Sequence, residues 1–189
     1  NLAATDQMLD SPTNNFCTLN ALDANGTQAE GNLKHTTSST TATAKTTVGV
    51  QSGKWYCEMY VNTYGNSPDI EITAMSDAGD LSSGVAGRLG YTCNGTIFGA
   101  SGGNISVSSS PTGSVVGMAL DMDSNTVQFY KNGVSLNAAV SIPTAAESGV
   151  LIATRGNSTV VTLNFGQDSS FAGNKTAQGN ADGNGIGDF

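Results

Sequence analysis

The stretch that most constrains the fold of this 189-residue chain is GSVVGMALDMDSNTVQFYKNGVSL, residues 113–136, because it sets two chain reversals between runs of alternating apolar residues. Val116, Met118, Leu120 and Met122 fall at every second position, and Val127 and Phe129 resume the alternation further on. Successive side chains of a strand point to opposite faces, so this period requires strands with one buried face. Between the two runs, Asp123-Ser124-Asn125-Thr126 supplies Asp and Asn, whose side chains bond nearby backbone and which tolerate the left-handed conformation of a tight reversal. Asn132-Gly133 is the pair favoured in two-residue type I′ hairpins, where both residues need positive φ. The stretch therefore predicts a meander of three antiparallel strands. As chemistry it is nearly silent, since Asp121, Asp123 and Lys131 are its only charges.

Elsewhere the chain supports the same class. Charged residues make up 12% of it, and no segment carries an Ala/Leu/Glu/Lys-rich helical period of useful length, so we expect an all-β domain with little or no helix. A chain of this length buries most of its apolar surface in one core without staples. The net charge is −8, and the seven Lys and Arg are scattered singly. That pattern argues against nucleic-acid binding, whose affinity comes largely from clustered Lys and Arg on the protein. No apolar run approaches the roughly 20 residues needed to span a bilayer as a helix, so membrane insertion is not expected. Cys17, Cys57 and Cys93 are odd in number and lack CxxC spacing, and His35 is the only imidazole, so neither a metal site nor a cofactor is expected. Five Asn-x-Ser/Thr sequons, starting at Asn25, Asn94, Asn104, Asn157 and Asn174, are about what a Ser/Thr-rich composition yields by chance and do not establish secretion.

Taken in order, residues 1–28 read as an N-terminal arm and first turn, with Phe16, Leu19 and Leu22 able to tack it to a core. Residues 29–171 read as the sandwich, and residues 172–189 as a Gly/Asn-rich tail or linker. The Thr-rich run from Gly31 to Val50 fits strands at sheet edges. Gly53–Val61 is far stronger, with Trp55, Cys57, Met59 and Val61 on one face and Tyr56, Glu58 and Tyr60 on the other. Bulk on both faces suits a central strand. Ile70–Met75, Leu89–Thr92, Thr96–Phe98, Val150–Thr154 and Thr159–Phe165 complete about a dozen short strands with frequent turns, the signature of a two-sheet sandwich.

The motifs Gly53-Lys54-Trp55-Tyr56-Cys57-Glu58, Leu89-Gly90-Tyr91 with Asn94-Gly95, Leu120-Asp121-Met122-Asp123, Phe129-Tyr130-Lys131-Asn132-Gly133 and Asn164-Phe165-Gly166-Gln167 stand in the order and spacing of a SPRY domain, which residues 30–171 resemble. The resemblance implies a concanavalin-like antiparallel jelly roll and a non-enzymatic module that binds protein or glycan partners through loops. One departure is Cys57, at a position often aromatic in the family. The version here is similar to those of tailed-phage virion proteins. That likeness implies a virion or extracellular location, an oligomeric place in a larger assembly, and a partner that is a host-surface protein or glycan or a neighbouring virion subunit. The alternative is a cellular or secreted SPRY adaptor that recruits a peptide.

A catalytic reading fares worse. Retaining jelly-roll glucanases carry Glu-x-Asp-x-Glu on one strand, with the nucleophile and acid carboxyls roughly 5.5 Å apart. Here Ser67-Pro68-Asp69-Ile70-Glu71 puts Ser67 where the nucleophile belongs, and a hydroxyl cannot form the glycosyl ester by that route. His35 lies in a Thr-rich edge segment without a Gly-x-Ser-x-Gly elbow, so a serine hydrolase is not expected. Asp182–Asp188 resembles the opening of a calcium loop but lacks its closing Glu, and otherwise reads as a flexible tail. For binding, the loop candidates are Tyr64, Asp69, Arg88, Tyr91 and Asn94, since Tyr and Arg offer area with a polar handle. Tyr91 has a competing reading, a ring packed between the sheets.

Overall fold

In the computed structural model, which describes residues 15–38, 42–65, 71–75, 87–143 and 151–189, the alternating runs pair into two antiparallel sheets, with no helix among those residues. Numbered in chain order, one sheet runs β1 (Leu19–Ala24), β4 (Ala42–Thr46), β14 (Leu151–Gly156), β6 (Glu71–Met75), β7 (Arg88–Thr92), β8 (Thr96–Phe98), β9 (Ile105–Ser106). The other runs β12 (Val134–Ser135), β11 (Thr126–Lys131), β10 (Val115–Asp121), β5 (Lys54–Thr63), β15 (Val160–Asn164), β3 (Lys34–Thr36), β2 (Thr27–Ala29), with β13 (Val140–Ser141) also on β11. The expected meander is β10–β11–β12. The expected central strand, β5, sits between β10 and β15.

Register explains why this arrangement buries what it does. Met118 stands opposite Phe129 on one side and Cys57 on the other, and all three are fully buried. They meet Leu19, Ile72, Leu89, Tyr91 and Ile97 of the facing sheet in one core. Each large side chain buried there contributes about 1.5–3 kcal/mol. Both reversals have the geometry their residues favour: Asn125 has φ 50°, and Asn132 and Gly133 have φ 49° and 78°. Asn132 also accepts the Val115 amide through Oδ1 at 2.9 Å, pinning the hairpin to the start of β10.

Three expectations are corrected. Leu22 does not tack the arm to the core: it is 98% exposed. Between Leu19 and Ala24, β1 takes five residue steps while β4 takes two, Thr46 to Ala44, so β1 bulges outward and carries Leu22 away. Trp55 keeps the register of Cys57 and Met59, but β5 starts at Lys54, where the sandwich ends, and its ring is half exposed. Residues 172–189 do not extend away as a tail or linker. They fold back over the outer face of the β5 sheet, with Phe171 buried against Tyr60 at 5.6 Å and Phe189 edge-on to Tyr56 at 5.2 Å.

Candidate functional site

A buried side chain, Asn164, is one of the anchors of the folded-back segment. Asn164, at the end of β15, accepts the amides of Gly166 and Asp168 through Oδ1 at 2.8 and 3.1 Å. Its Nδ2 donates to the Asp188 carbonyl at 2.8 Å and to Glu58 Oε2 at 3.3 Å. Gly166, at φ 105°, takes a conformation that side chains rarely adopt, and a Cβ there would press on Phe16 and Phe189. The Asp188 carboxylate accepts the Ser169 hydroxyl at 2.7 Å, and Asn180 and Phe189 exchange backbone bonds at 3.1 and 2.8 Å. The segment so held forms one wall of a groove.

That groove, about 940 Å³, lies between the loop after β4, the start of β5 and residues 180–189. Its walls are mostly apolar. Val48, Trp55 and Ile186 line it with close to half of their surfaces exposed, and the Tyr56 ring lies beside them. Apolar residues scattered singly on a surface mean little, whereas several gathered in one concavity mark a contact site. The Trp55 ring is fixed by its Nε1, which donates to the Ser52 carbonyl at 2.8 Å, so it offers a flat face and little further hydrogen bonding.

Asn15, Asn180 and Asn184 line the groove with one base, Lys54, and one acid, Asp182, and two further acids, Asp121 and Asp123, stand beside it. Lys54 pairs with Asp121 at 3.2 Å, and Asp123 accepts the Gly53 amide at 2.8 Å. Asp182 accepts the amides of Asn184 and Ile186 at 3.0 and 2.9 Å, so the stretch that resembled a calcium loop uses this carboxylate to close its own turn. The Ile186 and Gly187 amides hold the Asp182 carboxyl below the usual carboxylate range. Burial pushes the Cys17 thiol in the groove wall upward, away from the nucleophilic thiolate.

The residues named from sequence are placed differently. Tyr91 is fully buried: its ring lies 5.9 Å from that of Phe129, and its hydroxyl sits 2.8 Å from both the Ser108 carbonyl and the Ser110 hydroxyl. Arg88 is buried as well, its guanidinium 5.1 Å from the Phe98 ring centre. Tyr91 thus takes its competing reading, a ring packed between the sheets, and Arg88 is buried beside Phe98 instead of standing on a loop surface. Tyr64 is half-buried against the core, with its amide bonded to Thr112 Oγ1 at 2.8 Å, and Asn94 is exposed, its Oδ1 accepting the Thr92 hydroxyl at 2.6 Å. These two follow β5 and β7, at the end of the sandwich away from Trp55. Asp69, with Ser67 and Pro68 of the glucanase-like run, lies outside the described residues. Sequence reasoning missed Val48 and Ile186. The available signal was a lone large apolar residue within a turn-rich run.

Comparison with known proteins agrees with this architecture. Residues 11–168 match the family described as the SPRY domain. The SPRY domain of human HERC1 superposes with a TM-score of 0.62 at 16% identity, covering 77% of this chain and 96% of that one. The TRIM65 PSpry domain superposes with a TM-score of 0.60 at 11% identity, covering 79% of this chain and 92% of that one. At such identities the likeness speaks to fold alone. No curated protein is similar enough to match.

Proposed function

The chain belongs to the SPRY-domain family, and from that premise we propose that it is a non-catalytic binding module that takes a protein segment in the groove beside Trp55. The observation that carries this reading is the gathering of Val48, Trp55 and Ile186, half exposed, around one concavity of suitable size for several side chains. SPRY domains are in general protein-binding modules, and a peptide-recruiting adaptor accords with this groove better than the virion role suggested by resemblance. Neither solved neighbour lends the virion role support, and the proposed module depends on no virion or extracellular setting.

The non-catalytic part of the reading rests on what the reactive side chains do. His35 is enclosed in β3, burial pushes the Cys57 and Cys93 thiols upward, the carboxylates of Asp168 and Asp182 accept nearby backbone amides, and that of Asp188 accepts the Ser169 amide and hydroxyl. Glu71-dependent release of reducing sugar from a β-glucan panel would contradict it.

The direct test is selection from a random peptide library on the immobilised chain, followed by measurement of each winner on Trp55→Ala and Ile186→Asp. Both positions are half exposed, so the variants should fold. Binding should weaken about 30-fold or more at such anchor positions. Winners that bind both variants as tightly as the parent would overturn the reading.

A further inference from the structure

Resting on that reading of the groove, we propose that the segment it takes is cationic: a lysine- or arginine-bearing peptide with a large apolar side chain, which packs on Trp55 and Ile186 while its basic neighbours face Asp182 and Asp123. The apolar half follows from the walls, which leave Val48, Trp55 and Ile186 half covered. The basic half follows from charge. Lys54 is the one base lining the groove among the described residues, and Asp121 neutralises it at 3.2 Å. Asp182 lines the groove and Asp123 stands beside it, neither in an ion pair among the described residues, and the whole chain carries −8. A field of that sign draws cations toward the concavity and repels acidic peptides and a second copy of the chain.

A glycan is the competing occupant, since Asn15, Asn180 and Asn184 also line the groove, but a neutral sugar leaves the charge of Asp182 unanswered and finds Trp55 Nε1 already taken by Ser52.

Trp55 is the only tryptophan, so its emission reports the groove alone. The full chain is titrated with a short peptide alternating lysine with leucine and phenylalanine, with its glutamate-for-lysine twin, and with a β-glucan oligosaccharide. Calorimetry on Val48→Lys and Val48→Glu accompanies the titration. Both substitutions replace the branched apolar side chain with a flexible charged one, and they carry charges of opposite sign. The lysine peptide should shift the Trp55 emission and bind more weakly as salt rises, and the twin and the sugar should do neither. Val48→Lys should weaken the lysine peptide about tenfold more than Val48→Glu does. Equal binding of the twins, binding of neither, response to the sugar alone, self-association of the chain in the groove, or equal loss in the two variants would overturn the proposal. Library winners that need Ile186 but are not enriched in lysine or arginine would sink this inference and leave the binding-module reading standing. Winners indifferent to Trp55 and Ile186 would sink the reading itself.

Discussion

At the scale of the residue, His35 has its ring nitrogens treated unequally. Nε2 donates to the Asn25 carbonyl at 2.8 Å, while the buried Nδ1 has no partner. Burial outweighs the Nε2 bond and holds the pKa below the ordinary 6.5. The unfolded chain therefore takes up a proton in a range where the folded chain does not. His35 subtracts nothing above pH 6.5, and stability falls as the pH drops below that toward its folded value. Glu58 works in the opposite sense: burial raises it from 4.5, so its contribution weakens stability as the pH rises from there. Denaturant unfolding across this range, on parent and on His35→Gln, isolates the first effect as a difference, with the variant losing less stability on acidification. Asn164 makes the second residue-scale prediction. Four bonds converge on its buried amide, so Asn164→Ala should cost about 2–3 kcal/mol in the same assay by orphaning amides and the Glu58 carboxylate.

At the scale of the element, β10, β11 and β12 depend on a turn that only certain residues accept. Gly133 has φ 78°, so Gly133→Val should lower stability by about 1–3 kcal/mol, read from the unfolding midpoint at unchanged m-value. The folded-back segment depends on Phe171, which is buried against Tyr60. Phe171→Ala should cost about 3–5 kcal/mol and raise amide exchange through residues 171–189 ahead of the core strands. These two elements also mark how far the fold was legible. The meander was readable because Val116, Met118, Leu120, Val127 and Phe129 repeat at the period of a strand and Asn132-Gly133 is a specific turn signal. The fold-back was not, because Phe171, Ile186 and Phe189 are spaced without any period among glycines and asparagines. Their docking surface, Tyr56 and Tyr60, looked only like the second face of a central strand.

At the scale of the whole molecule, antiparallel pairing brings to one end the start of β5, the end of β15 and the loop after β4, and residues 180–189 close the fourth side. Proximity of this kind comes from topology, so Val48 and Ile186, 138 positions apart in the chain, carry no mutual signature in sequence. Conversely, Tyr91 was readable either as a loop residue or as a ring between the sheets, and Arg88 looked like a surface residue because nothing local reveals that its position on β7 is enclosed. The central claim is that this SPRY domain binds its partner at the Trp55 groove. Amide and indole chemical-shift mapping of the chain with a library-selected peptide tests it most directly. A partner seated in the groove should perturb the Trp55 indole N–H, Val48 and Ile186 and leave Tyr64 and Asn94 unmoved, whereas perturbations centred on Tyr64 and Asn94 with the Trp55 indole unmoved would place binding at the opposite end of the sandwich.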